Sequence, residues 1–136
     1  MRRHTQYWPW HREAGGQLFG TVSNFTITVE EATPPRPGDV RRKNLFEIDK
    51  TAADAELADR QSKGLFYFGD WHTHPEHRAK PSGQDLNNAG KLIRGARSYP
   101  FLIMVIVGVD STFVAIYNSR SLLELERMRP LRRRFF

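Results

Sequence analysis

The sequence predicts an α/β fold in one domain, a single mixed β-sheet flanked by helices. Three observations carry that expectation. Phe25, Ile27 and Val29 alternate with Thr26, Thr28 and Glu30, the two-residue period of a strand with one wet face. Residues 101–109 are almost all apolar and rich in β-branched side chains, as in a strand buried on both faces. Among the strands lie two stretches with helix start and stop signals, 51–62 and 82–97.

Taken in order, residues 17–23 and 25–31 read as two strands joined by a turn at Ser23 and Asn24. Pro34, Pro35 and Pro37 remove donors and fix φ, so the loop from Thr33 is expected to stay irregular as far as Lys43. Residues 45–48 form a short strand. Thr51 is placed to cap a helix over 51–62, with Asp54 answering it and Lys63 and Gly64 ending it. Residues 65–74 read as a strand that enters a loop at Pro75. A second helix covers 82–97, and Pro100 bars its extension. The buried strand follows, then a turn at Asp110 and Ser111, then a strand over 112–117. From Leu122 the tail reads as helical up to Pro130. The resulting order, β-β-β-α-β-α-β-β, implies helices packed on one mixed sheet.

Bulk properties narrow the classes. A chain of 136 residues fits one domain and can bury roughly two thirds of its unfolded surface. It contains no cysteine, which excludes disulfides, thiolate zinc fingers, a cysteine nucleophile and the cysteine-ligated zinc deaminases. The longest apolar run, 99–109, falls short of the ~20 residues that span a bilayer. Arg2 and Arg3 are followed by no apolar segment, so no signal peptide is predicted. The expectation is a cytoplasmic protein that does not engage a membrane. The net charge of +6 is unevenly spread. Arg36, Arg41, Arg42 and Lys43 share one loop, while Arg127, Arg129, Arg132, Arg133 and Arg134 crowd a basic tail over 120–136. Such clusters serve nucleic acid or acidic proteins in some chains and are solvated surface in most.

Chemistry is concentrated in residues 69–85. His72 and His74 lie two apart at the end of a strand and so project from one face. Pro75 then turns the chain, and the following loop is short enough to return Asp85, in the first turn of the next helix, to the same place. Two imidazoles and one carboxylate leave a fourth tetrahedral position open, the pattern of catalytic rather than structural zinc. Zinc lowers the pKa of water toward ~7, and a nearby carboxylate must still move the proton. Each piece has a plainer explanation alone: paired histidines are common, and Ser82 with Asp85 is also a capping box. Their conjunction with Pro75 is what points to metal. Asp70 shares the parity of the two histidines and is placed either to support one of them or to sit at a sheet edge. Glu76 and His77 lie in the loop, where they would meet substrate if they act at all. Trp71 faces the core.

The spacing His-x-His, seven residues, Ser, two residues, Asp resembles the JAMM signature of the JAB/MPN metalloproteases. Upstream, Glu13 followed by Ala14, Gly15, Gly16, Gln17, Leu18, Phe19 and Gly20 resembles the second element of that family, a glutamate before the glycines of the first hairpin. The resemblance runs from about residue 13 to about 119. It implies zinc held by His72, His74 and Asp85, Glu13 as general base and Ser82 as donor to the oxyanion of a tetrahedral intermediate. It also implies attack of a zinc-bound water on an isopeptide or peptide bond at the end of a ubiquitin-like protein. Residues 67–76, with the loop at Ala32 to Pro35, resemble bacterial members encoded beside ubiquitin-activating-like enzymes, including the deconjugating proteases of CBASS anti-phage operons. These imply a conjugated nucleotidyltransferase C-terminus as substrate and an adjacent activating enzyme as partner. The family carries a helix before its glutamate, and the resemblance implies a shortened one over 1–12, where Tyr7, Trp8, Pro9 and Trp10 stand. Two rival readings remain: a DNA-associated relative, which the basic tail suits, and a catalytically silent MPN scaffold, which the intact ligand set opposes.

Overall fold

The computed structural model describes residues 1, 11–43, 45–95, 99–118 and 120–126. The strands and helices are β1 (Gly15–Ser23), β2 (Thr26–Ala32), β3 (Val40–Arg42), β4 (Leu45–Glu47), α1 (Lys50–Ser62), β5 (Phe66–Thr73), α2 (Gly83–Gly95), β6 (Leu102–Val107), β7 (Thr112–Tyr117) and β8 (Leu122–Glu124). Six strands form one mixed sheet in the order β2-β1-β5-β6-β7-β8, and β3 and β4 make a separate ribbon. The predicted α/β class is therefore the observed one. Among the described strands only β5 and β6 run parallel, joined by the crossover that contains α2; parallel neighbours need a connection of that length.

Every residue of β6 is buried, as its composition predicts. Ile103, Val105 and Val107 enter one apolar cluster with Leu18, Phe68 and Trp71. Leu102, Met104 and Ile106 enter another on the opposite face with Ala79, Ala89 and Phe113. Leu86, Ala89 and Ile93 place α2 on this second cluster at the three- and four-residue spacing of a helical stripe. Helix α1 is tied to the sheet through Arg60, whose guanidinium pairs with Glu31 of β2 and stands 5.9 Å from the Phe19 ring centre.

The pairing of β1 with β5 shifts between Leu18 and Phe19, leaving one extra residue in β5 at Phe68. Beside it Gly69 has φ 152°, and a Cβ there would lie 1.9 Å from the Ile103 carbonyl oxygen of β6. Only glycine admits that approach. The extra residue also resets strand parity, so Tyr67 and Asp70, three apart, meet on one face with the Tyr67 hydroxyl donating to Asp70 Oδ1 at 3.0 Å.

Several expectations are corrected. The first turn lies at Asn24 and Phe25, both in the left-handed region at φ 48° and 62°, one residue beyond the predicted Ser23 and Asn24. That is the twist-matched hairpin turn, with a bulky residue in a position that usually takes glycine. The proline-rich loop does not stay irregular to Lys43, because β3 forms within it and pairs with β4 just beyond it. Helix α1 is capped by Asp49, whose Oδ1 accepts from Ala52 N at 3.1 Å; Thr51 and Asp54 lie inside the helix. The stop at Lys63 and Gly64 is as predicted, with Gly64 at φ 78°. The segment from Leu122 begins as an edge strand on β7, Leu122–Glu124, and not as a helix; residues 127–130 lie outside the described residues. Asn118 Oδ1 accepts from the backbone of Arg120 and Ser121, closing a tight turn that returns the chain along β7. The N-terminal helix at 1–12 and the tail arginines from Arg127 onward lie essentially outside the described residues. No helix among the described residues is long and apolar enough to cross a membrane.

Candidate active site

Parity carries His72 to the α2 side of β5, in register with Ile106, while Trp71 turns to the opposite cluster. His74 continues the strand line, its backbone N–H donating to the Val107 carbonyl at 3.0 Å. Across the loop, Asp85 stands in the first turn of α2, where a carboxylate complements the helix dipole. Its placement comes from a reciprocal capping box: Ser82 N and Oγ donate to Asp85 Oδ2 at 2.7 and 2.8 Å, and Asp85 N donates back to Ser82 Oγ at 3.1 Å. One carboxylate thus fixes the helix start and faces the histidines.

The three groups converge. His72 Nε2 lies 3.0 Å from His74 Nε2, and these nitrogens lie 3.2 and 3.3 Å from Asp85 Oδ1 and Oδ2. At such separations two imidazoles and a carboxylate must either share protons or hold a cation. Ligand atoms placed tetrahedrally at ~2.0–2.1 Å from zinc lie roughly 3.3 Å apart, so this donor set fits that ion. Among the described residues it is the one grouping of three or more such side chains able to hold a metal ion. Burial works against charge on Asp85, yet the hydrogen bonds and charge of the two histidines, with the Ser82 N–H, hold its carboxyl well below the usual range. For His74, burial likewise opposes charge, and the bond to Asp85 with the nearby carboxylates outweighs it and raises its pKa.

Glu13 is 7% exposed, and burial pushes its carboxyl up to about 7 against the pull of His74 and His72. Asp85 and Glu76 push in the same direction as burial, so all four groups lie within electrostatic reach of Glu13. Its backbone is gripped from two sides. Glu13 N donates to the Arg42 carbonyl at 2.8 Å, and Arg41 Nε donates to the Glu13 carbonyl at 2.8 Å, both from β3. The next residue exchanges bonds with Thr73: Ala14 N donates to Thr73 Oγ1 at 3.0 Å and Thr73 N to Ala14 O at 2.8 Å. Gly15 lets the Phe46 ring of β4 close over this junction, since a Cβ there would lie 2.4 Å from that ring.

The basic loop is therefore partly internal. Arg36 is buried, with Nη2 on Gln17, Thr33 and Glu56 and Nε on Glu56. Neither Arg36 nor Arg41 is a free nucleic-acid contact. Asp70 is not at a sheet edge, because β5 lies between β1 and β6, and its partner is Tyr67 rather than a histidine. Burial pushes its carboxyl to about 6. Sequence reasoning missed Arg41 and Phe46 as supports for Glu13; neither the loop of prolines and arginines nor the short strand after it carries a local signal of that contact. It also left open Glu76, whose Oε2 lies 3.0 Å from His74 Nδ1.

Comparison with known proteins identifies the family. The family model for prokaryotic homologs of the JAB domain matches residues 1–122. A Pseudomonas aeruginosa protein named CD-NTase/cGAS isopeptidase is 34% identical over 119 residues, covering 85% of this chain and 75% of that protein. An Enterobacter hormaechei protein of the same name is 33% identical over 103 residues, covering 72% of this chain and 56% of the relative. In structure, a Desulfitobacterium hafniense protein solved in solution superposes with TM-score 0.66 at 22% identity, over 91% of this chain and 82% of that one. At that identity the likeness speaks to the fold alone.

Proposed function

We propose that this chain, which belongs to the family of prokaryotic homologs of the JAB domain, is a zinc-dependent isopeptidase that releases a conjugated nucleotidyltransferase or ubiquitin-like C-terminus. The observation that carries the reading is the convergence of His72, His74 and Asp85 beside a buried glutamate from a different part of the chain. The names of the two sequence relatives support the substrate class. An activating enzyme of the same conjugation system is the expected partner, acting in the cytoplasm.

His72 Nε2, His74 Nε2 and an Asp85 oxygen would hold the ion. Zinc bound there supplies a Lewis acid that polarises a carbonyl and brings the pKa of water toward ~7. The remaining chemistry belongs to the chain. Glu13, buried within electrostatic reach of the ligands, accepts a proton from the attacking water and returns it to the departing lysine amine. The grip of β3 and Thr73 fixes the backbone from which that carboxyl extends, so less of it has to reorganise at the moment of reaction. Ser82 is exposed and its hydroxyl donates to Asp85; turning that O–H toward the substrate would let it stabilise the oxyanion while its backbone N–H retains Asp85.

Two measurements on the purified chain test the reading. Metal analysis should find one zinc per chain. A nucleotidyltransferase joined through its C-terminus to a lysine should be released as two products on a gel, and chelation should stop the release. A zinc-loaded chain that leaves such conjugates intact would refute the substrate assignment, and a chain that takes up no zinc would refute the metal site.

A further inference from the structure

The loop between β5 and α2 is held at two places. Ala79 is buried in the cluster beneath α2. Ahead of it, the chain is laced to the turn between β6 and β7: Val109 N donates to the Glu76 carbonyl at 2.9 Å, Asp110 N to the His77 carbonyl at 3.2 Å, and Ser111 Oγ to the same carbonyl at 3.1 Å. His77 Nδ1 and Asp110 Oδ2 lie 2.5 Å apart across the same seam. Gly108 permits this closeness, since a Cβ there would stand 2.7 Å from the Glu76 carbonyl oxygen and 3.0 Å from Ala79. The backbone of Glu76 is therefore fixed although its side chain is largely exposed.

That fixed backbone directs the Glu76 carboxylate at the far side of a ligand. His74 turns Nε2 toward His72 and Asp85, and its other nitrogen, Nδ1, lies 3.0 Å from Glu76 Oε2. An imidazole hydrogen-bonded to a carboxylate through Nδ1–H has its Nε2 lone pair free and its ring plane set. We propose that Glu76 is a positioning residue for the metal site: by accepting a hydrogen bond from His74 Nδ1–H, it holds the tautomer and ring orientation that let Nε2 bind zinc. The β6–β7 turn is the clamp that keeps Glu76 in range. This inference rests on the zinc reading of the site and adds a residue that the spacing of the ligands does not reveal.

The test uses the full chain with zinc as the only ligand, in competition with a chelator of known affinity, for wild type, Glu76→Ala and Glu76→Gln. Outer carboxylates on ligating histidines typically account for ~10–100-fold in metal affinity, and exposure of Glu76 places the effect at the lower end, about 10-fold for Glu76→Ala. Glu76→Gln keeps an oxygen that accepts from Nδ1 and should stay within about threefold of wild type, well above the alanine variant. A second readout is the His74 Nδ1 proton in the zinc-loaded protein. It should be resolved by NMR in wild type and in Glu76→Gln, and lost to solvent exchange in Glu76→Ala. Wild-type zinc affinity in Glu76→Ala, or an unchanged Nδ1 proton there, overturns the positioning role. Glu76→Gln as weak as Glu76→Ala also overturns it, because charge and not orientation would then be acting. A wild-type chain that takes up no zinc removes the metal reading and this inference with it; tight zinc in wild type and Glu76→Ala alike removes only the role of Glu76.

Discussion

The proposed site has two halves that are built differently. The ligand half, from His72 to Asp85, is contiguous: strand parity, a proline, a short loop and a capping box bring its three donors together. The base half is assembled from afar. Glu13 is positioned by β3, by Thr73 and by a ring from β4, none within 25 residues of it in sequence. The first half follows from local geometry and the second from tertiary contacts, so they should fail in different ways.

The largest separation is between His74→Ala and Glu13→Ala. Removing His74 takes away a ligand, so zinc should be lost and hydrolysis should fall to the uncatalysed level. Removing Glu13 should leave zinc bound while kcat falls by ~10²–10⁴-fold, the range of a lost general base. Zinc content by metal analysis, measured beside kcat, checks both. Equal zinc loss in the two variants would mean that Glu13 belongs to the ligand half.

The same division explains what could be read from the sequence. The buried strand β6, the His72 and His74 pair, and the Ser82–Asp85 cap depend on neighbours a few residues away, and each occurs where periodicity and capping place it. The support of Glu13 was not legible. The family resemblance implies a helix ahead of Glu13, which falls almost wholly outside the described residues; among those described, help comes from the β3–β4 ribbon. Arg36 and Arg41 read as surface charge because their partners, Glu56 and the Glu13 carbonyl, are 20 and 28 residues away. The helix expected after Leu122 fails for a related reason. Pairing with β7 overrides the local preference of a leucine- and glutamate-rich segment.

Proton linkage offers a subtler comparison, read in the zinc-free protein. Glu13 titrates near 7 when folded against an ordinary 4.5, so the folded state holds this proton more tightly than the unfolded one. Its contribution to stability is full below pH ~4.5 and is lost as pH rises through about 7. His74, also raised, acts in the same sense above the ordinary histidine range. Glu13→Gln carries no such proton. Zinc-free Glu13→Gln should therefore be more stable than zinc-free wild type at pH 8, by about 3 kcal/mol at ~1.36 kcal/mol for each pH unit between the two pKa values. The difference should close as pH falls toward 5. Denaturant midpoints at the two pH values measure it, and parallel pH profiles would show that Glu13 is not buried beside the ligands.

The smallest effect probes the brace itself. Arg41 reaches Glu13 through its carbonyl, to which Nε donates at 2.8 Å. Arg41→Met keeps the apolar stem and removes the donor, and a misplaced base should reduce kcat by about 10-fold, less than its deletion does. Zinc content should not change, since the three ligands are held by β5 and the α2 cap. A double-mutant cycle makes the assignment strict. If Arg41 acts through Glu13, then adding Arg41→Met to Glu13→Gln should reduce kcat no further, because the group it orients is already gone. Additive losses would instead place Arg41 in direct contact with the substrate and break the separation between the two halves at its weakest point.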